Sequence, residues 1–320
     1  MLENVFIHLG TGKTGTSALQ SFFVKNDEKL KEKGLYYLNT GRWKDGSHHL
    51  IPFSMDSNSY YYNLYESKSF EYFKKEILSE LLEIPDKKSV LISSEVLLGL
   101  RKNSNFFDLI EVLNRYARRV VFIVYLRKQD ELLESLYKQW VLGLNPNIKG
   151  LNFIEFINSY RGAFFHKILE DLKIFNNVDL LVKVYKKGNE KNLYKNFLEE
   201  VLSIDFDKSF SLPSKKNKNY SIGTLEFIYL DYLRLNNRFE DFERVKNKMN
   251  KNNTSDNKIS FLNNQIIGII KNKYDSSNKE VCKRYFKDGM NVLNIDFNSE
   301  YVNYEILLKN YKIMEKITSL

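Results

Sequence analysis

Three glycines, Gly10, Gly12 and Gly15, sit between a strand-like run and a helix-like run, and they constrain this chain more than any other feature. Asn4 to Leu9 is a short apolar run that reads as a buried strand. Leu19, Phe22, Phe23 and Leu30 then fall at helical spacing, which predicts an amphipathic helix over Ser17 to Lys33. Glycines let the intervening backbone turn tightly and approach a ligand closely. The first amides of the following helix lack intrahelical partners, and the helix dipole favours negative charge there. Lys13 adds a cation, and Thr14, Thr16 and Ser17 add hydroxyl donors. A strand, a glycine-lysine loop and a helix in this order form a cradle for a phosphate-like group.

The loop departs from that of the nucleoside triphosphatases. Their pattern, Gly-x-x-x-x-Gly-Lys-[Ser/Thr], would put Ile7 where its first glycine belongs. No hydrophobic strand ending in an aspartate, the usual magnesium partner, follows downstream. The spacing is instead Gly-x-x-Lys-Thr-Gly-Thr over Gly10 to Thr16, with Gln20 four residues on. This resembles the 5′-phosphosulfate loop of sulfotransferases that use 3′-phosphoadenosine 5′-phosphosulfate (PAPS), and is most similar to the bacterial carbohydrate-type members. The resemblance covers residues 4 to about 204 in scattered motifs.

Further along, short apolar runs alternate with helical patterns. Gly34 to Leu38, Ser89 to Ser93, Arg119 to Leu126 and Val178 to Tyr185 read as strands. Phe70 to Leu82, Phe106 to Ala117, Gln129 to Leu142, Phe153 to Tyr160, Phe164 to Phe175 and Glu190 to Leu202 read as helices. Such alternation argues for βαβ units and an α/β fold, a central parallel sheet with helices on both faces. Asn39 to Ser69, with Gly41, Gly46, Pro52 and Tyr60-Tyr61-Tyr62, reads as a loop-rich, substrate-facing segment. From Ser211 only helical patterns remain: Gly223 to Leu235, Asp241 to Met249, Lys258 to Lys273, Lys279 to Leu293 and Tyr301 to Ile317. The expected organisation is a nucleotide-binding α/β core over residues 1–210 and a helical C-terminal extension over 211–320 packed on it, the core taking the P-loop-like sulfotransferase fold that the resemblance implies.

Ligands in open α/β sheets bind beyond the carboxyl ends of the strands. The glycine loop after Leu9, Glu95 after Ser93, and Arg127 after Leu126 all fall at such ends. In sulfotransferases a strand, an arginine and a serine eight residues later grip the 3′-phosphate, and Arg127 and Ser135 match that spacing. A guanidinium suits phosphate because it grips in bidentate fashion.

The resemblance further implies cofactor contacts from Gly12, Lys13, Thr14, Gly15, Thr16 and Ser17, with Lys13 stabilising the leaving phosphate. Glu95 is implied as the general base, and Tyr185 takes the place of a tyrosine that contacts adenine. His48 and His49 compete for the base role, because histidine titrates near neutrality. His8 reads as a strand residue with a satisfied ring, and His166 as packing. No Arg-Lys-Gly loop of the cytosolic members occurs. Lys215, Lys216 and Lys218 read as solvated surface, and the departure points toward a polysaccharide or glycolipid acceptor.

The net charge is +9, with lysine scattered among acids along the whole length. That scatter argues against a nucleic-acid stripe and is compatible with acidic small molecules or peripheral contact with an anionic membrane. The lone cysteine, Cys282, excludes an intrachain disulfide and a cysteine-based zinc cluster. The longest apolar run, Val120 to Leu126, is too short to span a bilayer, and a cytoplasmic protein is the expectation. The implied activity is metal-free sulfuryl transfer from PAPS to a carbohydrate hydroxyl. Two rival readings are a kinase using the same cradle for ATP with Mg²⁺, and a binding protein that has the pocket without the chemistry.

Overall fold

The structure, a computed structural model, describes residues 1–57, 62–63, 68–186, 190–213, 224–252, 260 and 262–295, apart from the side chains of 190–191, 224–225, 250–252 and 288. The expected helix over Tyr301 to Ile317, the three lysines 215, 216 and 218, and Tyr60 and Tyr61 lie outside these residues. The chain forms two compact units. The first comprises 1–127 and 166–214, the second 128–165 and 215–320. The segment 128–165 thus groups with the C-terminal helices.

The first unit is built on a five-stranded, wholly parallel sheet in the order β2-β3-β1-β4-β5. The strands are β1 (Leu2–His8), β2 (Leu35–Tyr37), β3 (Ser89–Ser93), β4 (Ala117–Leu126) and β5 (Val178–Val184). β1 pairs with β3 on one side and β4 on the other, so strand order reverses at β1. A crevice at the carboxyl end of such a switch point is where α/β sheets bind ligands.

Both sheet faces are covered, which is why the strands read as unbroken apolar runs. Along β4, Val121, Ile123 and Tyr125 join a core with Leu19, Phe22 and Phe23. Phe122 points the other way and stacks on Phe106, with ring centroids 5.9 Å apart, and meets Phe175 edge-on at 5.3 Å. Leu19, Phe22 and Phe23 come from helix α1, Thr16–Lys25.

The first helix is shorter than its pattern predicts, because Asn26 breaks it and a second helix, Asp27–Glu32, follows. The buried Asn26 side chain donates to the Phe22 carbonyl at 2.8 Å and exchanges bonds with the Ser211 backbone, at 2.9 and 2.8 Å. Likewise the helix beginning at Glu190 gives way to a π-helical turn, Phe197–Val201.

The second unit is helical: Gln129–Leu142, Phe153–Ser159, Thr224–Leu235, Phe239–Asn252 and Asn264–Tyr285. The last replaces the two helices expected over Lys258 to Leu293. Ser277 and Asn278, which fall between the two expected helices, are instead buried within it. Gln129 and Asn278 exchange amide hydrogen bonds of 2.6 and 2.9 Å, and Asn278 also donates to the Leu293 carbonyl at 3.2 Å.

A buried ionic network braces the same unit. Arg234, 4% exposed, donates to the Ile148 and Leu151 carbonyls at 2.6 and 2.7 Å and pairs with Asp231 at 2.7 Å. The Tyr137 hydroxyl donates to the other Asp231 oxygen at 2.7 Å. Burial pushes the Asp231 carboxyl up, with Arg234 pulling it back down. Removing one partner of a buried pair strands the other, at a cost of about 3–5 kcal/mol. Arg234→Leu is therefore expected to lower unfolding free energy by about that amount in urea denaturation. A loss under about 1 kcal/mol would show that the network contributes nothing net.

Among the described residues, no helix is long and apolar enough to cross a membrane.

Candidate functional site at the carboxyl ends of the strands

The glycine loop leaves β1 and is pinned at once to its neighbour. The Leu9 amide donates to the Ile123 carbonyl at 2.9 Å, and the Thr11 hydroxyl donates to the Tyr125 carbonyl at 2.9 Å. Gly10, Gly12 and Gly15 take φ of 51°, 71° and 80°, and Lys13 joins them at 54°. A lysine in the left-handed region is strained, and such strain concentrates at functional sites.

The glycines serve different ends. A Cβ on Gly12 would meet nothing within 4 Å, so that face of the loop is open to a ligand. A Cβ on Gly15 would lie 2.6 Å from Leu193 and 3.3 Å from Tyr185. Gly15→Ala thus adds a packing clash of about 1–3 kcal/mol to a left-handed penalty of about 1–2 kcal/mol. Gly12→Ala carries the backbone penalty alone. The expected result is a melting temperature that falls well below wild type for Gly15→Ala and only slightly for Gly12→Ala. Equal melting would contradict the packing argument.

Helix α1 starts at Thr16 with Gly15 as its N-cap, and no side chain caps it. Its first-turn amides are therefore available to an anion, favoured by the helix dipole. The Thr14 and Thr16 side chains are buried, their hydroxyls 3.4 Å apart, while Ser17 is exposed.

Lys13 and Arg127 share one locality. An Arg127 Nη donates to the Lys13 carbonyl at 2.7 Å. Partial burial lowers the Lys13 pKa, and the Arg127 guanidinium lowers it further, against the opposing pull of Glu95. Crowded cations beside open helix amides suit a polyanion. The Arg127 guanidinium also lies over the Tyr185 ring, 5.4 Å from its centroid, and the Tyr185 amide donates to the Leu126 carbonyl at 2.7 Å.

Glu95 faces the loop, because a Cβ on Gly10 would stand 3.5 Å from the Glu95 Cβ. His49 Nε2 is 3.8 Å from one Glu95 oxygen, and its Nδ1 is 2.7 Å from the Ser94 hydroxyl. Gln20 Nε2 donates to the other Glu95 oxygen at 3.3 Å.

Adjacent in sequence, His48 and His49 part company in the fold. His48 Nδ1 accepts the Ser93 amide at 3.0 Å, and its Nε2 donates to the Leu38 carbonyl at 2.6 Å. Both ring nitrogens are committed, leaving no lone pair for an acceptor's proton. Burial lowers the His48 pKa to about 3. Asn39 to Ser69, expected to be loop-rich, carries the short helix Leu50–Ser54 and buries Ser47, His48, Ile51 and Phe53.

His8 is buried too, with Nδ1 2.9 Å from the Ser93 hydroxyl, and its ring is only half satisfied because Nε2 has no partner. His166, expected to pack, is exposed at the start of the helix Phe165–Leu172.

The first unit thus brings Gly12, Lys13, Thr14, Gly15, Thr16, Ser17, Glu95, His49, Arg127 and Tyr185 to one end of its sheet. Ser135 is half-buried on the helix Gln129–Leu142, in the second unit. Gln20, Ser93 and Ser94 escaped the sequence reading as site residues. The signal for Gln20 was a polar residue set among Leu19, Phe22 and Phe23 on the buried face of α1. Among the described residues, no group of three or more His, Cys, Asp or Glu side chains is placed to hold a metal ion.

No protein-family model matches the chain, and no solved structure matches it. Among curated proteins it is similar to the CRISPR-associated endoribonuclease Cas13a of Leptotrichia wadei (strain F0279), at 20% identity over 88% of this chain and 25% of that protein. The chain spans about a quarter of the length of that relative.

Proposed function

We propose that the protein is a PAPS-dependent sulfotransferase with the P-loop-like fold of that family, acting on a carbohydrate hydroxyl of a polysaccharide or glycolipid. The observation that carries this reading is the convergence of Lys13, Arg127 and Glu95 at the switch point of the sheet. Two cations and a carboxylate at one end of the sheet supply what sulfuryl transfer asks of a protein: a grip on a nucleotide bearing two anionic ends, and a proton acceptor.

The residues fit the donor on structural grounds. The loop is open above Gly12, and the uncapped α1 amides offer a seat for the 5′-phosphosulfate. Arg127 gives the 3′-phosphate a fork-shaped partner, and Tyr185 provides a ring for adenine. The donor supplies an activated sulfuryl group whose S–O bond to phosphate breaks as a new S–O bond forms to the acceptor.

Lys13 holds its ammonium where charge grows on the departing phosphate oxygen, and being fixed in advance it needs no reorganisation. Glu95 takes the acceptor's hydroxyl proton, with His49 beside it as the other candidate for that role. The reading requires no metal and no nucleic-acid partner. A cytoplasmic setting and peripheral contact with an anionic membrane belong to the same proposal.

The test is transfer of ³⁵S-sulfate from PAPS to a panel of polysaccharides and glycolipids. Incorporation that Glu95→Gln lowers by about 10²–10⁴-fold, leaving a measurable remainder, is expected. Equal incorporation by Glu95→Gln would overturn the base assignment, and phosphorylation from ATP with Mg²⁺ in place of sulfation would favour a kinase. Donor binding without transfer to any acceptor would favour a binding protein.

A further inference from the structure

Gln20 occupies a position that packing alone does not explain. It is fully buried on α1, yet its neighbours Leu19, Phe22 and Phe23 make that face a hydrophobic one. Its Nε2 lies within 3.3 Å of the Ser93 hydroxyl, 3.4 Å of the Ser93 carbonyl and 3.3 Å of a Glu95 carboxylate oxygen. Its Oε1 is buried without a partner. Three acceptors around the nitrogen fix which way the amide points, since the flipped amide would set oxygen against oxygen. A buried, unpartnered acceptor costs free energy that an aliphatic side chain of similar size would avoid. The glutamine therefore destabilises its own surroundings in order to present an N–H group to Glu95.

The two Glu95 oxygens are thereby distinguished. One receives the Gln20 amide, and the other lies toward His49 Nε2, 3.8 Å away. Ser93 ties Gln20 to the rigid end of β3, because its hydroxyl also meets His8 and its amide is held by His48. A carboxylate on the short turn after a strand has rotamer freedom, and a donor anchored in the core removes part of it.

We propose that Gln20 is a positioning residue: it fixes one oxygen of Glu95 from within the core, so that the oxygen nearer His49 is the one presented to the acceptor's proton. This rests on the sulfotransferase reading for its catalytic meaning, while the Gln20–Glu95 coupling itself does not.

The experiment compares wild type, Gln20→Leu, Glu95→Ala and the double variant. Gln20→Leu is expected to lower kcat by about tenfold to a hundredfold. Affinity for adenosine 3′,5′-bisphosphate should stay within about twofold, because the amide does not touch the nucleotide seat. In the Glu95→Ala background Gln20→Leu should have no further effect on rate, the sign that one residue acts through the other. A full additional loss in that background would reduce Gln20 to a structural role and overturn the proposal.

A second readout needs no turnover. In ¹⁵N-labelled protein the Gln20 side-chain amide signals should move on Glu95→Ala and stay in place on Lys13→Ala. Signals indifferent to Glu95→Ala would overturn the proposal even in an active enzyme. Wild type that binds no bisphosphate and transfers no sulfate would instead overturn the sulfotransferase reading, with the amide signals still deciding whether Gln20 holds Glu95.

Discussion

On the sulfotransferase reading, replacing Lys13 by alanine is expected to lower sulfuryl transfer by about 10²–10³-fold, the usual effect of removing one preorganised donor from a developing anion. The same change should leave the fold intact. Lys13 is held at a positive φ that alanine tolerates no worse, and its ammonium is partly buried near the Arg127 guanidinium. Losing that repulsion offsets lost contacts of the side chain, so thermal unfolding should shift little. Lys13→Gly carries the argument further. Glycine relieves the left-handed strain, and stability should rise by about 1 kcal/mol while transfer is lost. A lysine kept at a strained position fits a residue whose role is chemical. Near-normal turnover in either variant would remove Lys13 from the mechanism, and a large loss of stability in both would make it a structural residue.

The second large effect is on acid stability. Burial holds His8 and His48 neutral in the fold, each with a pKa lowered to about 3 from an ordinary value of 6.5. Above the unfolded value neither state binds the proton, and the full stability is present. Below it the unfolded chain takes up protons that the native state refuses. Each histidine then withdraws about 1.4 kcal/mol per pH unit, until the native rings protonate near their depressed pKa. Together they predict that urea unfolding free energy falls by about 2–3 kcal/mol per unit as pH drops from 6 to 4, before carboxylates add their share. The ring signals of His8 and His48 should not move by NMR between pH 8 and 5. Titration of either ring with an ordinary midpoint would show that it is not sealed in the core.

Much of this was legible in the chain itself, because the physics involved is local. The glycine loop needs a strand before it and a helix after it, and both patterns span few residues. The run from Val120 to Leu126 announced a strand buried on both faces, and parallel pairing put Glu95 and Arg127 at the same end as the loop. What failed to show was burial set at long range. His48 and His49 are neighbours with identical side chains, and partners distant in sequence, among them the Leu38 carbonyl and the Ser93 amide, brace one of them in the core. Nothing near Ser277 and Asn278 announced a continuous helix there, because Gln129, a partner that satisfies Asn278, lies 149 residues away. The grouping of 128–165 with the C-terminal helices escaped for the same reason, since its local patterns match those of the helices around the sheet. Gln20 was visible only as part of a spacing, and its bond to Glu95 crosses 75 residues.

The central claim is that a single nucleotide spans the loop and Arg127. Calorimetric titration with adenosine 3′,5′-bisphosphate tests it most directly, using wild type, Lys13→Ala and Arg127→Lys, with ATP as the comparison. The account predicts that the bisphosphate binds and ATP binds much more weakly. It predicts that Arg127→Lys, which keeps the charge and loses the fork, weakens the bisphosphate by about tenfold or more. Preference for ATP, or bisphosphate binding unchanged by both variants, would contradict it.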